Sequence, residues 1–167
     1  MKYTSAEANK LLKKLNEQHD ALMAEENAGS TFVASVGENV EECRPAYDYD
    51  MMRARIDETC MKIRKLRHAI NVFNSVTVVP GFGITIDEML VYIPQLTAKK
   101  RTLSVMAARL PKERSVFPGA SNIIDYKYAN YDILKAKSDF DEVTDILSKA
   151  QLALDSVNQT VQFDFEF

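Results

Sequence analysis

Several residue types that mark specialised proteins are scarce in this 167-residue chain. It contains two cysteines, two histidines, five glycines, five prolines and no tryptophan. So few cysteines exclude a disulfide-rich scaffold, and the sparse glycine and proline exclude a collagen-like or disordered chain. Neither Cys43 nor Cys60 lies in a CxxC motif or beside clustered histidines. We therefore predict two free thiols, no metal site and no cofactor.

The chain also lacks an excess of positive charge and a long apolar run. Its formal net charge is -3, so no global positive field draws it to nucleic acid or to acidic membranes. No uninterrupted apolar run approaches the roughly 18 residues that span a bilayer. The N-terminal sequence MKYTSAEANK lacks the apolar segment of a signal peptide. We expect a cytoplasmic protein without a membrane partner.

The strong enzymatic signatures are missing as well. GxGxxG, Walker, GxSxG, HExxH and EF-hand spacings do not occur. The turn at residues 80–83 leads into a predicted helix and could hold an anion through backbone amides, although a plain glycine turn explains it more simply. We favour a non-catalytic role and leave an enzyme open as the less favoured alternative.

What the chain does have is long helical apolar patterning. Thr4 and Glu7 have capping-box spacing and predict the start of a first helix that ends near Asn27. A second helix is predicted from about Tyr47 to Asn74. Its apolar seam alternates steps of three and four, as in a coiled coil, and contains Tyr49, Met52, Ile56, Thr59, Ile63, Leu66, Ile70 and Phe73.

Two further helices are predicted in the second half. Thr85 and Glu88 form another capping box, and Pro94 is expected to kink the helix that follows. A polar loop containing Pro111, Pro118 and Gly119 ends that helix. Asp132 is predicted to cap a last long helix ending at Asn158, with a seam formed by Ala136, Phe140, Val143, Leu147, Ala150, Leu154 and Val157.

Four short segments have strand-like patterns. Three of them, residues 31–36, 76–79 and 123–128, contain β-branched or aromatic residues. The fourth, residues 161–167, alternates apolar and polar side chains. The predicted fold class is therefore mainly α with short β-strands.

The order of capped helix, strand, long helix and strand occurs twice. A shift of 81 places Thr4 on Thr85, and a shift of 84 places residues 49–73 on residues 133–157. Because 84 is a multiple of seven, any two in-phase heptad patterns match at that shift. Only the shared caps, the terminal asparagines and the placement of the strands therefore count as independent support. We predict one domain, residues 1–167, with two similar lobes at 1–79 and 84–167. The two helix-strand-helix-strand repeats would form an antiparallel helical bundle with a small sheet at the helix ends.

Basic and amide side chains near two predicted helix ends are the candidate ligand-binding residues. The first group is Arg64, Arg67, His68, Asn71 and Asn74, and the second is Arg109, Lys112 and Arg114. Such donors bind phosphate, and three tyrosines at 126, 128 and 131 could add stacking to the second group. The alternative is solvated helix faces, with cations favoured near a helix C-terminus by its dipole. His19, on the apolar face of the first helix, is interpreted as a packed core histidine.

Three segments resemble a known family. Residues 66–74, 83–88 and 154–160 are similar to the septicolysin-like family of small bacterial proteins, with the most telling positions at Asn71, Asn74, Asn158 and Thr160. The resemblance implies a bacterial protein of this architecture, and the family has no established biochemical function. Its name hints at a toxin, but this sequence lacks the long amphipathic or apolar segment that a cytolysin would insert.

The functional prediction follows from the long seams and the missing motifs. Heptad helices of this length often oligomerise. Our favoured hypothesis is a non-enzymatic, self-associating helical interaction or scaffold protein, hence a homo-oligomer that could also bind another protein. The alternative is a nucleotide or nucleic-acid binding protein that uses the two groups of basic residues.

Overall fold

The computed structural model describes residues 1–115 and 125–167, and these ranges contain five helices and four short strands. The helices are α1 (Ser5–Gly29), α2 (Val40–Cys43), α3 (Tyr49–Val76), α4 (Ile86–Ala107) and α5 (Ile133–Thr160). The strands are β1 (Lys2–Thr4), β2 (Lys112–Ser115), β3 (Asp125–Tyr128) and β4 (Gln162–Asp164). The predicted fold class, mainly α with short strands, is confirmed.

The chain divides into two compact units. The first contains Met1–Val76 together with Val157–Phe167, and the second contains Thr77–Ser156. The C-terminal segment belongs to the first unit because β4 pairs with β1. The two units therefore differ from the predicted lobes, 1–79 and 84–167, chiefly because Val157–Phe167 belongs to the first unit.

Both predicted capping boxes open their helices. The Thr4 hydroxyl accepts a hydrogen bond from the Glu7 amide at 3.2 Å, and the Glu7 carboxylate accepts one from the Thr4 amide at 2.8 Å. Thr85 and Glu88 repeat this pair of bonds at 3.3 and 2.8 Å. The bond from the Thr4 backbone lowers the pKa of Glu7, and the Thr85 backbone does the same for Glu88, because a carboxylate accepts these bonds better than a carboxylic acid.

In the first unit, α1 and α3 run antiparallel and bury the predicted seams between them. One apolar cluster joins the first half of α1 to the second half of α3 and to the C-terminal segment: Ala8, Leu15, Leu66, Ile70 and Phe165. The other joins the end of α1 to the start of α3: Leu22, Met52 and Ile56. Tyr49, predicted at the start of the α3 seam, is 61% exposed instead because it lies in the first turn, before this cluster begins.

The C-terminal segment returns to the N-terminus of the first unit. β4 pairs antiparallel with β1, with Phe163 opposite Tyr3. The Phe163 ring stacks on Phe73 at 4.8 Å, and the Phe165 ring meets Tyr3 edge-on at 6.5 Å. The prediction that the last segment joins a sheet is confirmed. Its partner β1 gives no signal in the sequence, because three residues are too few for a period-two pattern.

Two predicted strands are wrong. Residues 31–36 form no strand, and Val33 and Val36 are fully exposed, because this β-branched run has no neighbouring strand to pair with among the described residues. Residues 76–79 begin inside α3, and Val78 forms only an isolated bridge with Thr85. The predicted helix ends are also early, since α3 and α5 continue beyond Asn74 and Asn158.

In the second unit, α4 is helical through Pro94, and the predicted cap of α5 is confirmed. The Asp132 carboxylate accepts a hydrogen bond from the Leu134 amide at 2.8 Å. β2 and β3 pair antiparallel where a polar loop was predicted, because the tyrosines of β3 provide β2 with a partner strand. The predicted strand at 123–128 is present from residue 125 onward. Its residues 123 and 124, like Pro118 and Gly119 of the predicted loop, lie outside the described residues.

Within the two described ranges, no helix is both long enough and apolar enough to cross a bilayer.

Candidate functional site

A groove of about 490 Å³ runs between α1 and α3 in the first unit. Its volume lies within the range of small-molecule sites. On α3 the lining residues recur at steps of one, three and four, so they share one helix face beside the buried seam. The lining consists of Asn16 and His19 from α1 and of Cys60, Ile63, Arg64, Arg67, His68 and Asn71 from α3.

Half of the predicted ligand-binding residues meet in this groove, namely Arg64, Arg67, His68 and Asn71. Asn74 lies further along α3 and does not line it; its side-chain oxygen is buried and has no hydrogen-bond partner among the described residues. The second predicted group lies elsewhere, in the second unit. Arg109 follows α4, while Lys112 and Arg114 are on β2.

The groove is basic, although the protein as a whole is acidic. Its lining contains two arginines and two histidines but no carboxylate. Within the described part of the chain, neither Arg64 nor Arg67 forms an ion pair or a side-chain hydrogen bond. Their five N–H donors each are thus available to a ligand or to water. By contrast, the two arginines nearer the start of α3 pair with carboxylates of α1, Arg53 with Glu26 and Arg55 with Glu25.

The helix dipole does not explain this group of cations. Its effect is confined to the last turn of a helix, and the last turn of α3 has no basic residue. His68 lies more than two turns before Val76, where α3 ends. The dipole part of the alternative therefore does not apply to the first predicted group. The solvated helix face does fit, because the predicted residues that line the groove are all exposed: Arg64, Arg67, His68 and Asn71.

The α1 side of the groove is the part that sequence reasoning missed. His19 is not a packed core histidine: its side chain is 31% exposed, and its Nδ1 lies 3.6 Å from the Asp20 carboxylate. Asn16 lies one turn earlier on the same helix. No pattern within α1 marks these residues, because only the pairing of α1 with α3 brings them beside Arg64 and Arg67.

The second predicted group has a different environment. The Lys112 ammonium lies 3.9 Å from the centroid of the Tyr126 ring and 5.6 Å from that of Tyr128. The Tyr131 hydroxyl donates a hydrogen bond to the Met106 carbonyl at 2.8 Å. Lys112 thus occupies a ring face that a nucleobase would need for stacking, through a cation–π contact of the protein's own.

Most of the side chains that line the groove carry hydrogen-bond donors. Cys60 shares the groove with two histidines but, in the described ranges, its thiol forms no hydrogen bond with either. A nucleophilic cysteine is activated by such a contact. Among these residues there is also no group of three metal-binding side chains. The arrangement is suited to holding an anion.

Comparisons with known proteins support the fold, but none of them links the chain to a known activity. Neither the protein-family models nor the curated proteins gave a match. Among solved structures, a functionally unknown conserved protein from Corynebacterium diphtheriae is similar, with a TM-score of 0.59 and 17% sequence identity. The similarity covers 98% of this chain and 100% of that one. At this identity it establishes the shared fold alone.

Proposed function

We propose that the protein is a non-catalytic binding protein whose groove between α1 and α3 holds a small phosphate-bearing anion. One observation carries the proposal: Arg64 and Arg67 lie together in a groove lined without carboxylates, and no described residue pairs with them. A guanidinium group binds phosphate oxygens through two parallel hydrogen bonds. The amides of Asn16 and Asn71 add neutral donors.

The groove favours a phosphate group over a nucleobase. Its described lining contains no phenylalanine, tyrosine or tryptophan ring, so a base could stack only on the smaller imidazole rings of His19 and His68. Its volume suits a compact anion such as pyrophosphate or the phosphate end of a nucleotide. We thus narrow the predicted nucleotide or nucleic-acid function to recognition of the phosphate groups.

Thermal unfolding with pyrophosphate, ATP and a single-stranded oligonucleotide at low salt tests the proposal. A ligand that binds the native state raises Tm by mass action. We expect pyrophosphate and ATP to raise Tm, and added salt to reduce the effect because charge screening weakens the contacts. If none of the three probes changes Tm at low salt, the proposal is wrong.

A double variant locates the binding. Arg64→Ser with Arg67→Gln introduces the residues found 84 positions later, Ser148 and Gln151, where α5 is also helical. We expect this variant to lose the shift in Tm. The control, Lys10→Ser with Lys14→Gln, removes the same charge from exposed positions of α1 outside the groove. Equal loss in both variants would show a general charge effect rather than a site.

Self-association is a second candidate function, in which the chain acts as a homo-oligomeric interaction or scaffold protein. This function is favoured by the apolar side chains exposed on α4, where Leu90, Val91 and Val105 are 50%, 59% and 56% exposed. Valine and leucine side chains this exposed on one helix leave apolar surface that a partner can cover. Sedimentation at high micromolar concentration tests this function, and a protein that stays monomeric would contradict it.

We also propose that the two halves are an internal repeat. Both α3 and α5 contain 28 residues, and their starts are 84 positions apart. The shift of 84 places Val78 on Gln162, and the shift of 81 places Thr4 on Thr85. The bridge between Val78 and Thr85 therefore has the same place in one half as the pairing of Gln162 with Thr4 has in the other. An experimental structure in which the two halves failed to superpose at these shifts would refute the repeat.

Membership of the septicolysin-like family and a cytoplasmic location in a bacterium are proposals as well. The first rests on residues 66–74, 83–88 and 154–160, and a family member with another helix order would refute it. The second rests on the free thiols of Cys43 and Cys60, which suit a reducing compartment, and recovery of the protein outside the cytoplasm in a cell fractionation would refute it.

A further inference from the structure

One exposed face of α4 carries a regular row of side chains, which we call the α4 stripe. At about 100° per residue, its members within the helix point within about 40° of the direction of Ala98. Every member is exposed, and shallow concavities of about 540 and 960 Å³ lie along the row. The α4 stripe consists of Asp87, Val91, Pro94, Ala98, Thr102, Val105 and, just beyond the helix end, Arg109.

The order of residues in the α4 stripe is symmetric about Ala98. Val91 and Val105 both lie seven positions from Ala98, and Asp87 and Arg109 both lie eleven positions from it. A two-fold axis through Ala98 would therefore place each valine against the other valine of a second copy. It would also place each aspartate against an arginine. Such a contact is self-complementary in apolar surface and in charge, as an isologous interface must be.

The corresponding face of α1 differs in character. The shift of 81 places Lys10, Lys13 and Glu17 on Val91, Pro94 and Ala98. Lys13 and Glu17 form an exposed ion pair at 3.9 Å, as expected for a helix face in water. On α4 the same positions carry apolar side chains, whose removal from water favours association. The apolar character is thus specific to α4.

We infer that the α4 stripe pairs antiparallel with the α4 stripe of a second copy of this chain. The inference rests on the self-association proposed above and names its surface. The small side chain of Ala98 at the axis allows the two helices to approach to about 8–10 Å, the usual interaxial distance. The valines leave water, and the pairing of Asp87 with Arg109 at both ends of the contact selects the antiparallel orientation.

Sedimentation velocity of the full chain at low and high micromolar concentration tests the inference. Ala98→Glu places two carboxylates at the axis, so we expect this variant to remain monomeric where the wild type dimerises. The control, Ala24→Glu, makes the same change at an exposed position of α1 and should leave the dimer intact. A wild type that is monomeric throughout overturns self-association itself. A dimer that Ala98→Glu leaves intact overturns only the assignment to the α4 stripe.

A charge exchange tests the orientation. Asp87→Arg alone, or Arg109→Asp alone, turns both attractive pairs into repulsive ones, and we expect about tenfold weaker dimerisation. The double variant restores opposite charges across the axis and should restore most of the affinity. A double variant weaker than either single variant would show that these residues do not face one another. Circular dichroism of each variant checks that the helices are retained.

Discussion

Replacing Phe165 by alanine tests how the C-terminal segment holds the first unit together. Phe165 is 8% exposed and belongs to the cluster formed by the first half of α1 and the second half of α3. Its amide donates a hydrogen bond to the Met1 carbonyl at 2.9 Å, which aligns the segment beside β1. Phe165→Ala keeps this backbone bond and removes only the ring.

The loss of folding stability expected for Phe165→Ala can be compared with that for the same substitution at a neighbouring phenylalanine. Deleting a buried phenylalanine ring costs about 3–5 kcal/mol, and the place of Phe165 near the chain end, where neighbours can relax, favours about 3 kcal/mol. Phe167 contacts the Phe165 ring at 5.0 Å but is 49% exposed. Phe167→Ala should therefore cost no more than about 1 kcal/mol.

Urea unfolding followed by circular dichroism measures both losses. We expect Phe165→Ala to lower the midpoint markedly and Phe167→Ala to change it little. Hydrogen exchange then locates the effect, because amides in α1 and α3 should lose protection in the first variant. Equal midpoints for the two variants would refute the packing described for this segment, since the two substitutions delete the same ring.

Three further predictions concern single contacts. Thr85→Ala removes the N-cap of α4 and should cost about 1 kcal/mol in urea unfolding; no loss would contradict the capping box. The pKa of Glu88 is lowered from 4.5, so its contribution to stability is present above about pH 4.5 and is lost as the pH falls through the folded-state pKa. Glu88→Gln should therefore lose less stability on acidification than the wild type, and identical pH profiles would contradict this. Arg53→Ala leaves the buried Glu26 carboxylate without its cation and should cost about 2 kcal/mol, whereas Arg55→Ala, whose partner is half exposed, should cost at most about 1 kcal/mol. Equal costs in urea unfolding would mean that burial of the partner does not matter here.

The helices could be predicted from the sequence because their signals are local. Thr4 and Glu7 are three residues apart, so the capping box is visible without any tertiary information. The strands were harder to predict than the helices. Val33 and Val36 have the residue type of a strand, but whether a strand forms depends on a partner that no local pattern reveals.

The candidate site was predictable only in part, for the same reason. Arg64, Arg67 and Asn71 share a face of one helix, so their spacing places them together. The opposite wall requires the antiparallel packing of α1 on α3, which brings His19 beside them. The prediction for Lys112 treated the nearby tyrosines as stacking surfaces for a ligand. Sequence proximity to aromatic rings could not show that the lysine itself covers one of them.

Titration of the isotope-labelled protein with pyrophosphate, followed by amide NMR, tests the proposed function most directly. We expect saturable shifts concentrated on the groove, at Asn16, His19, Arg64, Arg67 and Asn71, and their loss in the double variant Arg64→Ser with Arg67→Gln. Spectra that do not change at low salt, or changes concentrated on β2 and β3, would contradict a phosphate-binding groove between α1 and α3.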